Sequence, residues 1–168
     1  MKHKVYLLFG SNLGDRIGFI QNAIREIEFN FGKVLNSSSL YESPAWGFYS
    51  SEKFLNQVVL FETILSPEAL LDGLLGVEKK LGRKRKEVGY SSRKIDIDIL
   101  YFDNLIVEKS NLSIPHPRLH QRRFVLLPLS EIAPDYKHPV LRMTTKEMLE
   151  HVTDTAEVKL LKLTMGKG

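Results

Sequence analysis

The run Ile95-Asp-Ile-Asp-Ile99, continued by Leu-Tyr-Phe102, alternates apolar and acidic residues with a period of two. A strand sorts such a run, because successive side chains leave it on opposite faces. Ile95, Ile97 and Ile99 then face a core, while Asp96 and Asp98 share the other face, about 6–7 Å apart along the chain. Two carboxylates on one face repel each other unless a cation lies between them. The pair is either two solvated acids on a half-exposed strand or a cation site. Mg²⁺ suits the second case: it takes oxygen ligands, is often held by one or two carboxylates, and fills its remaining positions with water and substrate phosphates.

Charge elsewhere bears on this choice. The 168 residues carry a net charge of +4, but residues 79–94 hold eight cations and one acid, a net of +7, which leaves −3 for the remainder. Such a block is a solvated surface, a nucleic-acid patch or a polyphosphate site, and composition does not choose among them. Arg83, Arg85 and Arg93 beside an acid pair make sense if phosphate oxygens come between them.

The length fits one domain, residues 1–168, able to bury a core without staples. With no cysteine there is no disulfide, thiol nucleophile or thiolate zinc site, and the cytosol is the default compartment. Apolar runs such as Val5–Phe9 and Val58–Phe61 fall far short of the ~20 residues of a membrane span. Lys2 and Lys4 precede an apolar patch that ends in Gly10-Ser-Asn-Leu-Gly-Asp15, too soon for a signal peptide.

Val5 to Phe9 is expected as a buried first strand. Ile17, Ile20, Ile24, Ile27 and Phe31 recur at helical spacing, with Asp15 placed to cap the helix and Gly32 to end it. Val34 to Tyr41 and Phe54 to Leu65 are expected as strands, separated by an irregular loop, Ser43 to Ser51, with three aromatics. Ser66-Pro67-Glu68 opens a helix that Gly82 should stop after Leu81. Asp103-Asn104 should turn into a short strand at Leu105 to Val107, and Thr144-x-x-Glu147 resembles a capping box. The order β-α-β-β-α-β, followed by a C-terminal β/α extension, predicts a ferredoxin-like α+β sandwich with helices on one face of an antiparallel sheet.

Three smaller features remain. His116 lies between two prolines, which suits a ring that must be aimed but equally an ordinary loop histidine. His116 and His120 have a four-residue spacing that binds zinc on a helix, with no third ligand evident. Gly10-Ser-Asn-Leu-Gly14 lies between a strand and a helix, as phosphate loops do, but lacks their lysine pattern; a turn that fixes the first strand is its expected role.

Taken in order, seven segments resemble the 6-hydroxymethyl-7,8-dihydropterin pyrophosphokinase family over about residues 4 to 150. They are Gly10-Ser-Asn-Leu-Gly14, Tyr41-Glu-Ser-Pro44, Phe54-Leu-Asn56, Glu78 with Gly82-Arg83, Arg93-Lys-Ile-Asp-Ile-Asp-Ile99, Ile114-Pro-His116, and Arg122-Arg-Phe124 leading into Pro128-Leu-Ser-Glu-Ile-Ala-Pro134. The resemblance implies an Mg²⁺-dependent enzyme of folate biosynthesis that transfers pyrophosphate from ATP to the pterin's hydroxymethyl group and releases AMP. It implies that Asp96 and Asp98 hold two Mg²⁺ ions and that Arg83 and Arg93 contact the phosphates. Glu78, Arg85, Arg93, Ile99, His116 and Arg122 would bind ATP, with Ile99 lining the adenine pocket. Phe54 and Phe124 would sandwich the pterin; Asn56, Ser43 and Pro44 would meet its polar edge, and Trp46 would close over it. The chain departs from the family pattern at Leu75, Gly89, Tyr90, Ser91 and Asn111, and at Phe54, where tyrosine is common. A monomer with small-molecule substrates is expected, without nucleic-acid or membrane partners.

Two other classes share some of these features. A ferredoxin-like RNA-binding module would use the basic block and aromatics, but its central strand would lack Asp96 and Asp98, which repel bare phosphate. A two-metal phosphohydrolase shares the acids and cations but needs no counterpart of Phe54, Asn56 and Phe124.

Overall fold

A computed structural model of the chain describes residues 1–45, 52–82 and 94–161. Its frame is an antiparallel sheet built from β1 (His3–Ser11), β2 (Gly32–Ser37), β3 (Tyr41–Ser43), β4 (Phe54–Thr63), β5 (Asp96–Phe102) and β8 (Lys159–Leu160). The order is β5-β1-β4-β3-β8, and β2 also pairs with β4. Between them run α1 (Arg16–Phe31), α2 (Pro67–Lys80), α3 (Arg123–Ile132) and α4 (Thr145–His151). A separate hairpin joins β6 (Val107–Lys109) to β7 (Leu112–Ile114).

The helix signals act as expected at the residue level. Asp15 accepts the Gly18 N–H at 3.0 Å, and Ser66 accepts the Ala69 N–H at 3.2 Å. Thr144 and Glu147 form a reciprocal capping box at the start of α4. Gly82, at φ +105°, takes up the left-handed region just past α2.

Alternation divides the core in two. Val5, Leu7 and Phe9 of β1 pack with Ile20, Ala23 and Ile27 of α1, with Leu70, Leu74 and Val77 of α2, and with Ile95, Ile97 and Ile99. Leu8, Val58, Leu100 and Tyr101 face the other way, against Leu119, Val125, Leu129 and Ala133. As expected for the helices of the β-α-β-β-α-β order, α1 and α2 cover one face; α3, from the C-terminal extension, covers the other. The apolar run from Phe124 is part of α3 even though Pro128 lies inside it, removing one ladder bond.

Three boundaries also differ from expectation. The strand expected over Val34–Tyr41 is two strands. From Ser37↔Val59 to Tyr41↔Asn56 the chain advances four residues against three on β4, and Ser38 bridges the break by accepting the Val58 N–H on its Oγ at 3.0 Å. The strand expected at Leu105 begins at Val107, because the turn closes on Leu105, whose N–H donates to the Phe102 carbonyl at 3.0 Å. Gly32 ends α1 as expected, but in extended backbone at φ 168°, so β2 opens there, two residues before the strand expected from Val34; a Cβ on Gly32 would collide with the Glu62 carbonyl oxygen.

Candidate active site

The site begins with the edge strand β5. Among the described residues its outward N–H groups meet no neighbouring strand, and Glu78, buried on the last turn of α2, accepts the Ile97 N–H on Oε2 at 2.7 Å. This charge-assisted bond pins β5 midway between Asp96 and Asp98, which are both half-buried.

The register then lays one row of residues across three strands. Asp96 of β5 lies opposite Gly10 of β1, and Gly10 lies opposite Asn56 of β4. Two interstrand spacings put the Asp96 and Asn56 backbones roughly 10 Å apart. Between them Gly10 leaves bare backbone, and a Cβ there would come within 3.2 Å of Asn56 Oδ1 and 3.8 Å of Phe54 Cδ1. Asn56 is buried and donates from Nδ2 to Ser43 Oγ at 2.9 Å, which aims its amide oxygen toward Gly10. Phe54 pairs with Ser43, so Phe54, Asn56, Ser43, Asp96 and Asp98 project from one face. That face thus has an acidic half and a half made of an amide, a hydroxyl and a ring. Pro44 follows Ser43 and is exposed.

The α3 layer supplies the other wall. Arg122 is buried at the helix N-cap, and its guanidinium carbon lies 5.7 Å from the centroid of the half-buried Phe124 ring. His116 is fastened by its backbone N–H to the Leu100 carbonyl at 3.0 Å, and its Nδ1 accepts the Arg118 N–H at 3.2 Å. With Nδ1 an acceptor, the neutral ring carries its proton on Nε2. Burial foremost, then the positive charges of Arg122 and Arg118, lower the His116 pKa to about 4 against an opposing pull from Asp96. At neutral pH His116 is therefore an uncharged N–H donor near enough to Asp96 and Arg122 to feel both charges.

The structure does not bring every expected residue onto this face. Ile99 is buried in the core beneath the sheet, so its side chain is turned away from the carboxylates. Glu78 reaches β5 from that same side. Trp46, Arg83, Arg85 and Arg93 lie outside the described residues. His120 packs edge-on against His138, with ring centroids 6.5 Å apart. Among the described residues no helix is long and apolar enough to cross a membrane.

Two features escaped the sequence. Tyr41 donates its hydroxyl to Glu131 Oε1 at 2.6 Å, while Ser39 donates its N–H and Oγ–H to Oε2 at 2.9 and 3.1 Å, tying α3 to β3. Burial, and then this carboxylate, push the Tyr41 phenol up to about 12. Asp154 reaches α3 from beyond α4. The one sequence signal for it was an arginine at an N-cap, a residue with no acceptor to offer.

The sequence model described as 7,8-dihydro-6-hydroxymethylpterin-pyrophosphokinase matches residues 6–134. The chain is 43% identical over 143 residues to the 2-amino-4-hydroxy-6-hydroxymethyldihydropteridine pyrophosphokinase of Aquifex aeolicus, covering 85% of this chain and 88% of that one. It is 42% identical over 138 residues to the protein of that name in Porphyromonas gingivalis, covering 80% and 93%. The folic acid synthesis protein fol1 of Pneumocystis carinii is 42% identical over 150 residues; the match takes 89% of this chain but 20% of that longer one. Among solved structures, an HPPK-DHPS in complex with substrates superposes with TM-score 0.73 at 19% identity, over 89% of this chain and 43% of that chain. That likeness concerns the fold.

Proposed function

The chain belongs to the 7,8-dihydro-6-hydroxymethylpterin-pyrophosphokinase family, and from that premise we propose which residues carry its chemistry. The protein transfers pyrophosphate from ATP to the hydroxymethyl group of 6-hydroxymethyl-7,8-dihydropterin, a step of folate biosynthesis. The hydroxymethyl oxygen bonds to the β-phosphorus of ATP, the hydroxyl proton is released, and AMP leaves with the bridging oxygen. The observation that carries the assignment of roles is the register row Asp96–Gly10–Asn56, with a phosphate-and-metal end and a heterocycle end on one sheet face.

The fold is read as a ferredoxin-like βαββαβ unit whose second strand is split into β2 and β3. On its open face Phe54 and Phe124 sandwich the flat pterin, while Asn56 and Ser43, already bonded to each other, meet its polar edge beside Pro44. Trp46, outside the described residues, is assigned to the pterin as well. Gly10 keeps the floor clear between ring and carboxylates. Asp96 and Asp98 offer hard oxygens on one half-exposed face, and among the described residues no group of three or more His, Asp or Glu is placed to hold a metal. That sparse donor set fits Mg²⁺, which leaves positions for water and substrate phosphates. Two such ions held by Asp96 and Asp98 would supply charge neutralisation on the triphosphate.

In phosphoryl-type transfer, positioning and electrostatics supply most of the catalysis. Arg83, Arg85 and Arg93 are assigned to the phosphate oxygens, which forked guanidinium donors suit better than lysines. Arg122 and the Nε2–H of neutral His116 hold the same chain of phosphates. Glu78 serves ATP indirectly, by fixing β5. Ile99 meets the adenine through the backbone of the β5 edge, because its side chain is committed to the core.

The direct test is incubation with ATP, Mg²⁺ and 6-hydroxymethyl-7,8-dihydropterin. AMP should form only when the pterin is present. Absence of AMP, or pterin-independent release of ADP, defeats the assignment. Asp98→Ala should lower turnover by about 10²–10³-fold with its melting temperature nearly unchanged; a collapse of cooperative unfolding would instead place Asp98 in the structural frame.

A further inference from the structure

The helix that supports Arg122 and Phe124 cannot cap itself. Its N-cap is Arg122, which makes no side-chain cap hydrogen bond, and the first turn contains no acid. Arg122 and Arg123 instead put two cations at the positive end of the helix dipole, an unfavourable arrangement. The missing acceptor comes from the distant chain: Asp154 Oδ2 accepts the Arg123 N–H at 3.0 Å, and its Oδ1 accepts the Ala156 N–H at 2.9 Å, which holds the carboxylate in place. A few residues further on, the same stretch pairs with β3 as β8, Tyr41 opposite Leu160, and the Leu161 N–H donates to the Leu40 carbonyl at 2.8 Å. The tail therefore links the wall bearing Phe124 to the strand bearing Ser43. The tail residues Asp154, Ala156, Leu160 and Leu161 lie beyond residue 134, where the match to the family model ends.

We propose that Asp154 is a positioning residue for pterin binding, capping α3 from the C-terminal tail so that Phe124, on the first turn of that helix, is held against the pterin ring. The proposal rests on the assignment of Phe124 as a pterin contact. Without the cap the first turn of α3 frays, and the fraction of molecules able to bind falls with it, weakening apparent affinity in proportion.

The experiment is equilibrium titration of 6-hydroxymethyl-7,8-dihydropterin into wild type, Asp154→Ala, Asp154→Asn and Phe124→Ala, with kcat and KM measured alongside. Asp154→Ala should raise the pterin Kd and KM about three- to tenfold, the loss expected for a helix cap, with kcat within about twofold. Asp154→Asn, which keeps an acceptor oxygen, should recover most of that loss. A purely structural role would lower the melting temperature and leave the pterin Kd unchanged in folded protein, and that result overturns the proposal. Phe124→Ala separates the two layers: if it weakens pterin binding while Asp154→Ala does not, the proposal fails and the assignment of Phe124 stands. If Phe124→Ala binds pterin normally, the assignment fails and the proposal falls with it. Hydrogen exchange on the wild type gives a check without variants, because a capped Arg123 amide should be protected like that of Leu126; free exchange at Arg123 overturns the proposal.

Discussion

His116 shows how the surroundings of one ring choose its proton. The Arg118 N–H occupies Nδ1, so the neutral ring must present Nε2–H, and burial with two nearby arginines keeps the ring neutral down to about pH 4. Its folded pKa lies below the ordinary histidine value of about 6.5. Between those values the unfolded chain binds the extra proton and the folded chain does not. Stability therefore rises with pH through that window and is lost as pH falls from about 6.5 toward 4. In His116→Asn that part of the acid sensitivity should vanish, as urea unfolding at pH 4.5 against pH 7 would show, and the wild-type His116 ring resonance should titrate near 4 by NMR. A midpoint near 6.5 would mean that the ring is neither buried nor crowded by cations. Legibility at this scale follows the range of the interaction. Asp96 and Asp98 could be found because strand alternation is local. The bond from Asn56 to Ser43 spans a loop, and the close approach of Asn56 and Phe54 to Gly10 depends on β4 lying beside β1, so the sequence showed the residues without their geometry.

Among the elements, the long amphipathic helices and β5 were legible, and the misplacements share one cause. Their boundaries are set by neighbours rather than by their own residues. β2 and β3 separate because a one-residue slip against β4 is absorbed by Ser38, whose hydroxyl takes the place of a carbonyl. The helix α3 was hidden by Pro128 and by an N-cap that relies on Asp154, since both contradict the local rules for a helix. The same dependence on a distant partner makes β5 vulnerable. Glu78→Ala leaves the Ile97 N–H buried without its acceptor, and should lower stability by about 1–3 kcal/mol. Because Ile97 lies between Asp96 and Asp98, turnover should fall further than stability alone explains, at a temperature where the variant is fully folded. Glu78→Gln keeps an acceptor and should restore most of both. Chemical denaturation and steady-state kinetics on the two variants decide the matter, and a Glu78→Ala protein with normal kcat would detach the edge clamp from catalysis.

At the scale of the whole molecule, one sheet serves two cores, and this determines how the site can fail. Leu7 packs under α1 and α2 while its neighbour Leu8 packs under α3, so neither layer can be removed without exposing the back of the other. The carboxylates and the Asn56 amide grow from the sheet, whereas Arg122 and Phe124 arrive on α3, so the walls of the site stay together only while both layers remain docked. The tie from Glu131 to Tyr41 and the tail pairing through β8 add polar fastenings across the same seam. We therefore expect the two layers and the sheet between them to unfold as one cooperative unit. Leu7→Ala and Leu8→Ala, each emptying one core, should each cost about 2–5 kcal/mol. Both variants should shift a single transition in calorimetry, with calorimetric and van't Hoff enthalpies equal as in wild type. Binding of ATP with the pterin should raise that same transition, because the proposed contacts draw on residues from both layers. If Leu8→Ala instead produced a separate early transition that carried away pterin binding while the α1–α2 side stayed folded, α3 would be a detachable layer, and the site would be assembled across two cooperative units.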